Sequence, residues 1–550
     1  SGSNDFNNPL VTPAVAPDLF YIEKEKINWE SNYYWRVRPE GGEWINTFNF
    51  TTTESSVTFQ NDDNPIEILE YNPALASDGI TIFGSYFNNY SAAIDMDGNE
   101  VWNSGGINSF VFFNADENNN LLGGKILPDF NNSLIGCEYS KNNEYLWSEP
   151  IDTIQLQNES FIQHEIIKLP NGNYMGFIPI VENHPIPTSG DYSSINNPFS
   201  WEEDYEDYIN NGIGYDWKGE KIVEWDKDTG DIVWEWSAFD YFSLDDFDYL
   251  AGHWETAWNN NLPFDWIHFN ALAYNESDNA LYVSSRHLDR ITKIDYSSKE
   301  IIWNLGIQWL GDEVVHPDTL FSGQHGLQIL PNGNIVTLDN GILSQFTTAE
   351  LSAPVSRAIE IEIVEDNNIY TANTVWSHTL PPELYGALSG NVQKLDNGNY
   401  LVNTIGNESG AYSLEITKNH ETVWKCKYNL GNYNTGPLYR AMRLSSLYSL
   451  DDNSLEISNL IYPQIFRIIS NFPNPFNPLT HIKYELSYSA EIQFIIYNIK
   501  GEIIDVINMG FQTPGNYIAE WNGINNPSGI YFIKFKNKAE MQSLKLILLK

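Results

Sequence analysis

Three histidines stand at related places in three related stretches of this chain. His325 lies in FSGQHGLQILPNGNIVTLDN, residues 321–340, seven residues before Asn332 of a tight Asn-Gly turn. In FIQHEIIKLPNGNYM, residues 161–175, His164 is again seven residues before an Asn, Asn171. A looser copy, DWIHFNALAYNESDNALYV at 265–283, carries His268 ahead of a Ser-Asp-Asn turn. Arg286, in SSRHLDR, follows His268 across the same hairpin. Imidazoles can act as nucleophile, acid or base near pH 7, and a guanidinium beside them binds developing negative charge. A single strand histidine is commonly a core residue. Three at one repeat phase are expected to converge. Three histidines could also hold zinc, but an arginine beside them disfavours a dication, so no metal is expected. His184, His253, His287, His316, His378, His420 and His481 fall off the phase and read as ordinary.

The elements that would gather these residues are repeated. A turn followed by a strand ending in Trp recurs at Trp102, Trp147, Trp234, Trp303, Trp376 and Trp424. Between these marks lie second turns at 77–79, 118–120, 171–172, 277–279, 332–333 and 397–398. Each unit is therefore two hairpins, or four short strands. Four-stranded units repeated in series predict a β-propeller, here six-bladed over 66–450. The order of the Trp marks puts His164 in blade three, His268 in blade four and His325 in blade five. The inner strand of each blade lines a central channel, so all three are expected round one end of it. The longest insertion, within 184–221, is polar, aromatic and acidic and reads as a loop. A turn or two of helix is expected within 242–258.

Two flanking modules remain. Residues 1–57 hold alternating stretches, NYYWRVRP at 32–39 and WINTFNFTT at 44–52, with a third candidate strand at 19–24. Residues 466–550 alternate through NFPNPFNPLTHIKYEL, IQFIIYNIKGEII, GNYIAEWNG and SGIYFIKF, after a linker at 451–465. Their turn spacing predicts a seven-stranded sandwich of about 85 residues. The fold class is thus all-β, and the high aromatic content, with 18 Trp and 32 Tyr, suits it.

Composition narrows the partners. A net charge of −44, from 73 acids against 29 bases, repels nucleic acid and anionic membranes. No apolar run approaches the roughly 20 residues of a membrane span. No signal-peptide pattern opens the chain, and it begins at Ser1 without Met, so it is expected to be processed or partial. Cys137 and Cys426 are the two cysteines, and nothing in the sequence pairs them.

Three resemblances follow from these stretches. The pair YYWRV and WINTFNFTT resembles the late strands of a fibronectin type III domain, over half a domain. An open half-sandwich invites cover from elsewhere, including a neighbour's strand, which would build a fibre head to tail. Residues 466–550 resemble the C-terminal sorting domain of the type IX secretion route, whose phrases are NYPNPFNP, IYNxxG, W(D/N)G and SGIY. That implies export by the type IX machinery, to the surface or surroundings of a Gram-negative, Bacteroidota-like bacterium. HEIIKLPNGN, DWIHFNAL, LYVSSRHLDRITKID and FSGQHGLQILPNGNIVTLDNG resemble the six-bladed arylsulfotransferase family. The resemblance implies sulfuryl transfer from a phenolic sulfate donor to a phenol acceptor, without cofactor, through a transiently sulfated His325. It implies that His164, His268 and Arg286 bind the sulfuryl oxygens and assist proton transfer. The family often reads QHD where this chain has Gln324, His325 and Gly326.

Overall fold

Short alternating strands closed by Asn-, Asp- and Gly-containing turns fold here as antiparallel sheets, with little helix. The computed structural model describes residues 31–36, 47–52, 66–447 and 466–550, apart from 86–88, 106–108, 117–118, 128–132, 142, 151–162, 186–213, 249, 316–319, 348–352, 368, 407–409, 430–437, 487–489, 499–502, 513–514 and 537–540. It divides into two units, residues 1–452 and 453–550.

The first unit is a six-bladed propeller. The first strands of its blades are Leu438–Leu444, Phe110–Ala115, Gln163–Lys168, Phe269–Asn275, His325–Ile329 and Asn391–Lys394, for blades one to six. They touch one another in ring order and so line the axis. Blade one is completed by Ile80–Ser85, Tyr90–Ile94 and Glu100–Asn103, and Ile66–Tyr71 is added to the outer edge of blade six. The turn at 77–79 therefore joins blade six to blade one and is not the first hairpin of a blade, as its spacing suggests. The reason is closure: each end of the propeller chain pairs into a blade begun by the other, which ties the ring.

Blades pack face to face, and the apolar clusters sit in the gaps between neighbours. The six Trp marks all fall on the fourth strands of the blades. Four of them donate their indole N–H to a backbone carbonyl of the next blade: Trp102 to Lys141 (2.9 Å), Trp234 to Tyr296 (2.9 Å), Trp376 to Lys418 (3.2 Å) and Trp424 to Met96 (3.0 Å). Buried third-strand glutamates reach the same way. Glu138 accepts from Lys168 (2.9 Å), Glu360 from Lys394 (2.7 Å) and Glu415 from Arg443 (3.2 Å), each in the following blade.

The 184–221 insertion begins and ends as strand, since Tyr174–Pro185 and Gly214–Trp225 pair along their whole length. Its middle lies outside the described residues. Helix appears in the second half of the expected 242–258 span, as His253–Asn260, and a four-residue helix, Ala238–Tyr241, lies just before the span. No helix among the described residues is long and apolar enough to cross a membrane. Cys137 and Cys426 are separate, buried thiols in blades two and six.

The second unit has seven strands in two sheets, of three and four. Its opening phrase grips its last strand: Phe476 N donates to Ile547 O (2.9 Å), and Asn474 Nδ2 to Lys545 O (3.0 Å). Phe476 and Trp521 are buried together in the core. Near the N-terminus Asn32–Trp35 pairs with Phe48–Thr51, and Trp35 stacks on Phe48 with both half exposed. The candidate strand at 19–24 and the linker at 451–465 lie outside the described residues.

Candidate active site

His325 opens the first strand of blade five, and the loop before it is pinned to blade four. Gln324 Nε2 donates to Ser284 Oγ (2.9 Å), Ser285 O (3.1 Å) and Arg290 O (3.0 Å). Gly323 N donates to Asp289 Oδ1 (2.6 Å). The ring itself is fixed by its Nδ1, 2.9 Å from Gly323 O and 2.8 Å from Asn340 Oδ1. Asn340 spends its amide N–H groups on Gly386 O (2.7 Å) and Ser389 O (3.0 Å), so its oxygen must accept. His325 Nδ1 therefore carries the proton and Nε2 the lone pair. Burial, then the Arg286 charge, holds this imidazole well below the ordinary histidine range, against the opposing bond to Asn340. It stays neutral at neutral pH, with its lone pair on Nε2.

His268 precedes the first strand of blade four in a left-handed conformation (φ 52°). Its Nδ1 lies 2.6 Å from Asp265 Oδ2. Burial pushes the Asp265 carboxyl up, but His268, its hydrogen bond, His287 and Lys218 outweigh burial and leave it well below the carboxylate range. Arg286, on the turn Arg286–Leu288 of the same blade, is buried. It contacts His287 Nε2 through Nη1 and Ala387 O through Nη2 (3.5 Å). Burial lowers its pKa, and Asp289, Asp265 and Asp248 oppose that.

His164, in blade three, is the third member (φ 62°). Its ring centre is 4.8 Å from that of His268. Tyr439 donates its hydroxyl to His164 O (2.9 Å), so the hydroxyl oxygen accepts from His164 Nδ1 (3.1 Å) and leaves Nε2 with the lone pair. Burial, then His268, His325 and Arg440, depress its pKa well below the usual range.

The expected residues thus come together at the start of the inner strands. The equivalence of His164 and His325 holds only by counting from the turn. In the ladder Gln163 pairs with Phe177 and His325 with Leu338, and the left-handed residue is His164 in one blade but Gly326 (φ 72°) in the other. A bulge shifts the two rings by one place. At Gly326 a Cβ would come 2.6 Å from Asn391 Cβ. Blade six leaves no room for the acid that follows histidine in QHD.

Several neighbours were not singled out by the repeat phase. His287 and His253 read as ordinary in the sequence, yet their rings stack at 3.6 Å, and His287 is 4.6 Å from His268. Asp265 precedes His268 by only three residues, and Asn340 directly follows the strand Ile335–Asp339 paired with that of His325; both were visible locally. Tyr439 comes from the ring-closing strand, which no local pattern links to His164.

Below these residues an arginine crosses the channel. Arg440, on the inner strand of blade one, pairs with Glu165 of blade three (2.5 Å) and donates to Asn270 O of blade four (2.6 Å) and Phe113 O of blade two (3.4 Å). Beyond it lies a cavity of about 240 Å³, lined by residues including Asn114, Tyr274, Gln328 and Gln393.

Donor atoms of Asp265, His268 and His287 lie within 4.8 Å of one another. They suit a metal poorly. Both histidines direct Nδ1 at oxygens of Asp265, and the Arg286 guanidinium touches His287 Nε2. A dication there would displace two hydrogen bonds beside a fixed positive charge.

Two family models match this chain. Residues 197–440 match the arylsulfotransferase (ASST) family model, and residues 470–549 match the secretion system C-terminal sorting domain. No curated protein matches. Among solved structures, PorZ of the type IX secretion system of Porphyromonas gingivalis is 10% identical, with 84% of this chain and 63% of that one covered, at a TM-score of 0.27. This chain therefore spans less than two thirds of PorZ. A putative 6-phosphogluconolactonase from Bacteroides uniformis is 11% identical over 81% of this chain and 100% of its own, at 0.25. The periplasmic gluconolactonase PpgL of Pseudomonas aeruginosa is 9% identical, covering 80% and 99%, at 0.27. The histidine-lined propeller carries an arylsulfotransferase-family domain, and the terminal sandwich is a type IX secretion C-terminal sorting domain.

Proposed function

We propose that the propeller moves a sulfuryl group from a phenolic sulfate to a phenol by a ping-pong route through His325. The observation that carries this reading is the clamp on His325 Nδ1, which presents a neutral imidazole lone pair at Nε2 beside Arg286, His268 and His164. His325 Nε2 attacks sulfur and the bond from sulfur to the aryl oxygen breaks. The leaving phenolate takes a proton from His268 Nε2, and His268 keeps its Nδ1 proton on Asp265. The sulfated ring retains its own Nδ1 proton toward Asn340. In the second half an acceptor phenol returns its proton to His268 and its oxygen displaces His325 from sulfur. Arg286 offsets charge on the sulfuryl oxygens. His164 packs beside His268, ring centres 4.8 Å apart, and helps fix its orientation. Splitting the transfer gives ping-pong kinetics.

The test is transfer from a chromogenic phenyl sulfate to a second phenol by wild type and His325→Ala. Turnover should vanish in the variant, and a sulfated His325 should be trapped by mass spectrometry when no acceptor is supplied. Equal turnover by both proteins would sink the reading.

A second reading concerns assembly. The exposed stack of Trp35 on Phe48 favours a role for the N-terminal hairpin in strand addition to a neighbouring chain, giving a surface filament. Negative-stain imaging with the mass in solution tests it; a monodisperse monomer would defeat it.

A further inference from the structure

Away from the channel, two imidazoles meet on the outer rim between blades five and six. His378 lies on Ile369–Thr379, the fourth strand of blade five. His420 occupies the turn between the third and fourth strands of blade six, with φ 68°. Their Nδ1 atoms are 3.2 Å apart, and the rings are inclined by 23°.

The His420 ring is held from behind. His420 N donates to Thr417 O (2.9 Å) and Thr417 N to Glu421 O (2.8 Å), which close the turn. The Trp376 indole binds Lys418 O in that turn and stacks on Tyr400 at 3.7 Å. It lies nearly parallel to the His420 ring, 5.7 Å away. Two blades thus present two nitrogens from fixed backbone.

The spacing fits one shared cation. With metal–imidazole bonds of about 2.0–2.1 Å, nitrogens separated as these are subtend roughly 100° at the metal, close to tetrahedral. Burial, then the nearby His420, lowers the pKa of His378, which favours the neutral ligand form. His420 is exposed, so water can fill the remaining positions. Imidazole nitrogen selects late first-row dications over magnesium and calcium. The net charge of −44 attracts cations to this surface.

We propose that His378 and His420 form a two-nitrogen site for a divalent transition metal of the zinc, nickel and copper class, clipping blade five to blade six. The site is independent of sulfuryl transfer. Its ligands lie on an outer strand and a rim turn, away from the inner strands that carry His164 and His325.

The test compares the full chain with His420→Asn and His378→Gln. Asparagine tolerates the left-handed turn position but brings no imidazole. Titration calorimetry with Zn2+ and with Cu2+ should show one metal ion more per chain in wild type than in either variant, Cu2+ binding the tighter. Added Zn2+ should raise the Tm of wild type in a concentration-dependent way. That increment should disappear in both variants. Equal stoichiometry and equal Tm response in all three proteins would overturn the site. So would retention of the extra ion after loss of either histidine alone.

Discussion

Asp265 and Gly326 carry the sharpest expectations at the level of single residues. Asp265→Asn keeps the shape but weakens the hold on His268 Nδ1. If His268 holds the travelling proton, kcat should fall by roughly 10²-fold, the scale of one lost acid–base group, while KM moves little. The loss should shrink for donors whose phenols leave easily without a proton, which a purely structural defect would not do. Gly326→Asp restores the acid of the QHD motif, yet its Cβ would meet Asn391 in a left-handed backbone. The variant should lose about 1–3 kcal/mol in urea unfolding and gain no activity. His164, His268 and His325 could be grouped because repetition put them at related distances from a turn, and Arg286 because it follows His268 across one hairpin. Asn340 and Asp265 were near enough in sequence to be found by asking what orients each imidazole. Tyr439 was not, because its contact with His164 exists only once the ring is shut.

Among the elements, the fourth-strand tryptophans explain why the repeat was readable. A tryptophan occurs once per blade at a fixed place after a turn, and in four of the six blades its indole reaches a carbonyl of the next blade. Trp424 is fully buried, so Trp424→Phe leaves Met96 O without its donor. The expected cost is about 1–3 kcal/mol, read from the urea midpoint at unchanged m-value. The glutamates that reach into the next blade went unread, because an acid in a strand looks like a solvated one until a neighbouring blade buries it. The seven strands of the sorting domain were legible for a simpler reason: each of its phrases holds one strand or two with the turn beside them.

For the whole molecule, buried histidines tie stability to pH. His164, His287 and His325 are held well below the normal range, and His253 is lowered to about 3, chiefly by burial. Such groups are neutral when folded and protonate when unfolded. Below about pH 6.5 the unfolded chain therefore binds more protons, and stability falls as pH falls. Glu220, pushed up to about 8 by burial and Asp265, works in the opposite direction between its ordinary value and that pH. Thermal unfolding from pH 7 down to 4 should show a falling Tm, and His253→Gln should flatten that fall. Closure could not be read locally either, since the partners of Ile66–Tyr71 and Ile80–Ser85 lie more than three hundred residues on. Arg440 has one more consequence. Its guanidinium ties four blades across the axis, so the histidine end of the channel is a blind alley. For the transfer proposed, donor and acceptor share a single doorway: the spent phenol must back out before its successor enters. High concentrations of either phenol should then jam the traffic, each competing with the sulfated partner for the same way in.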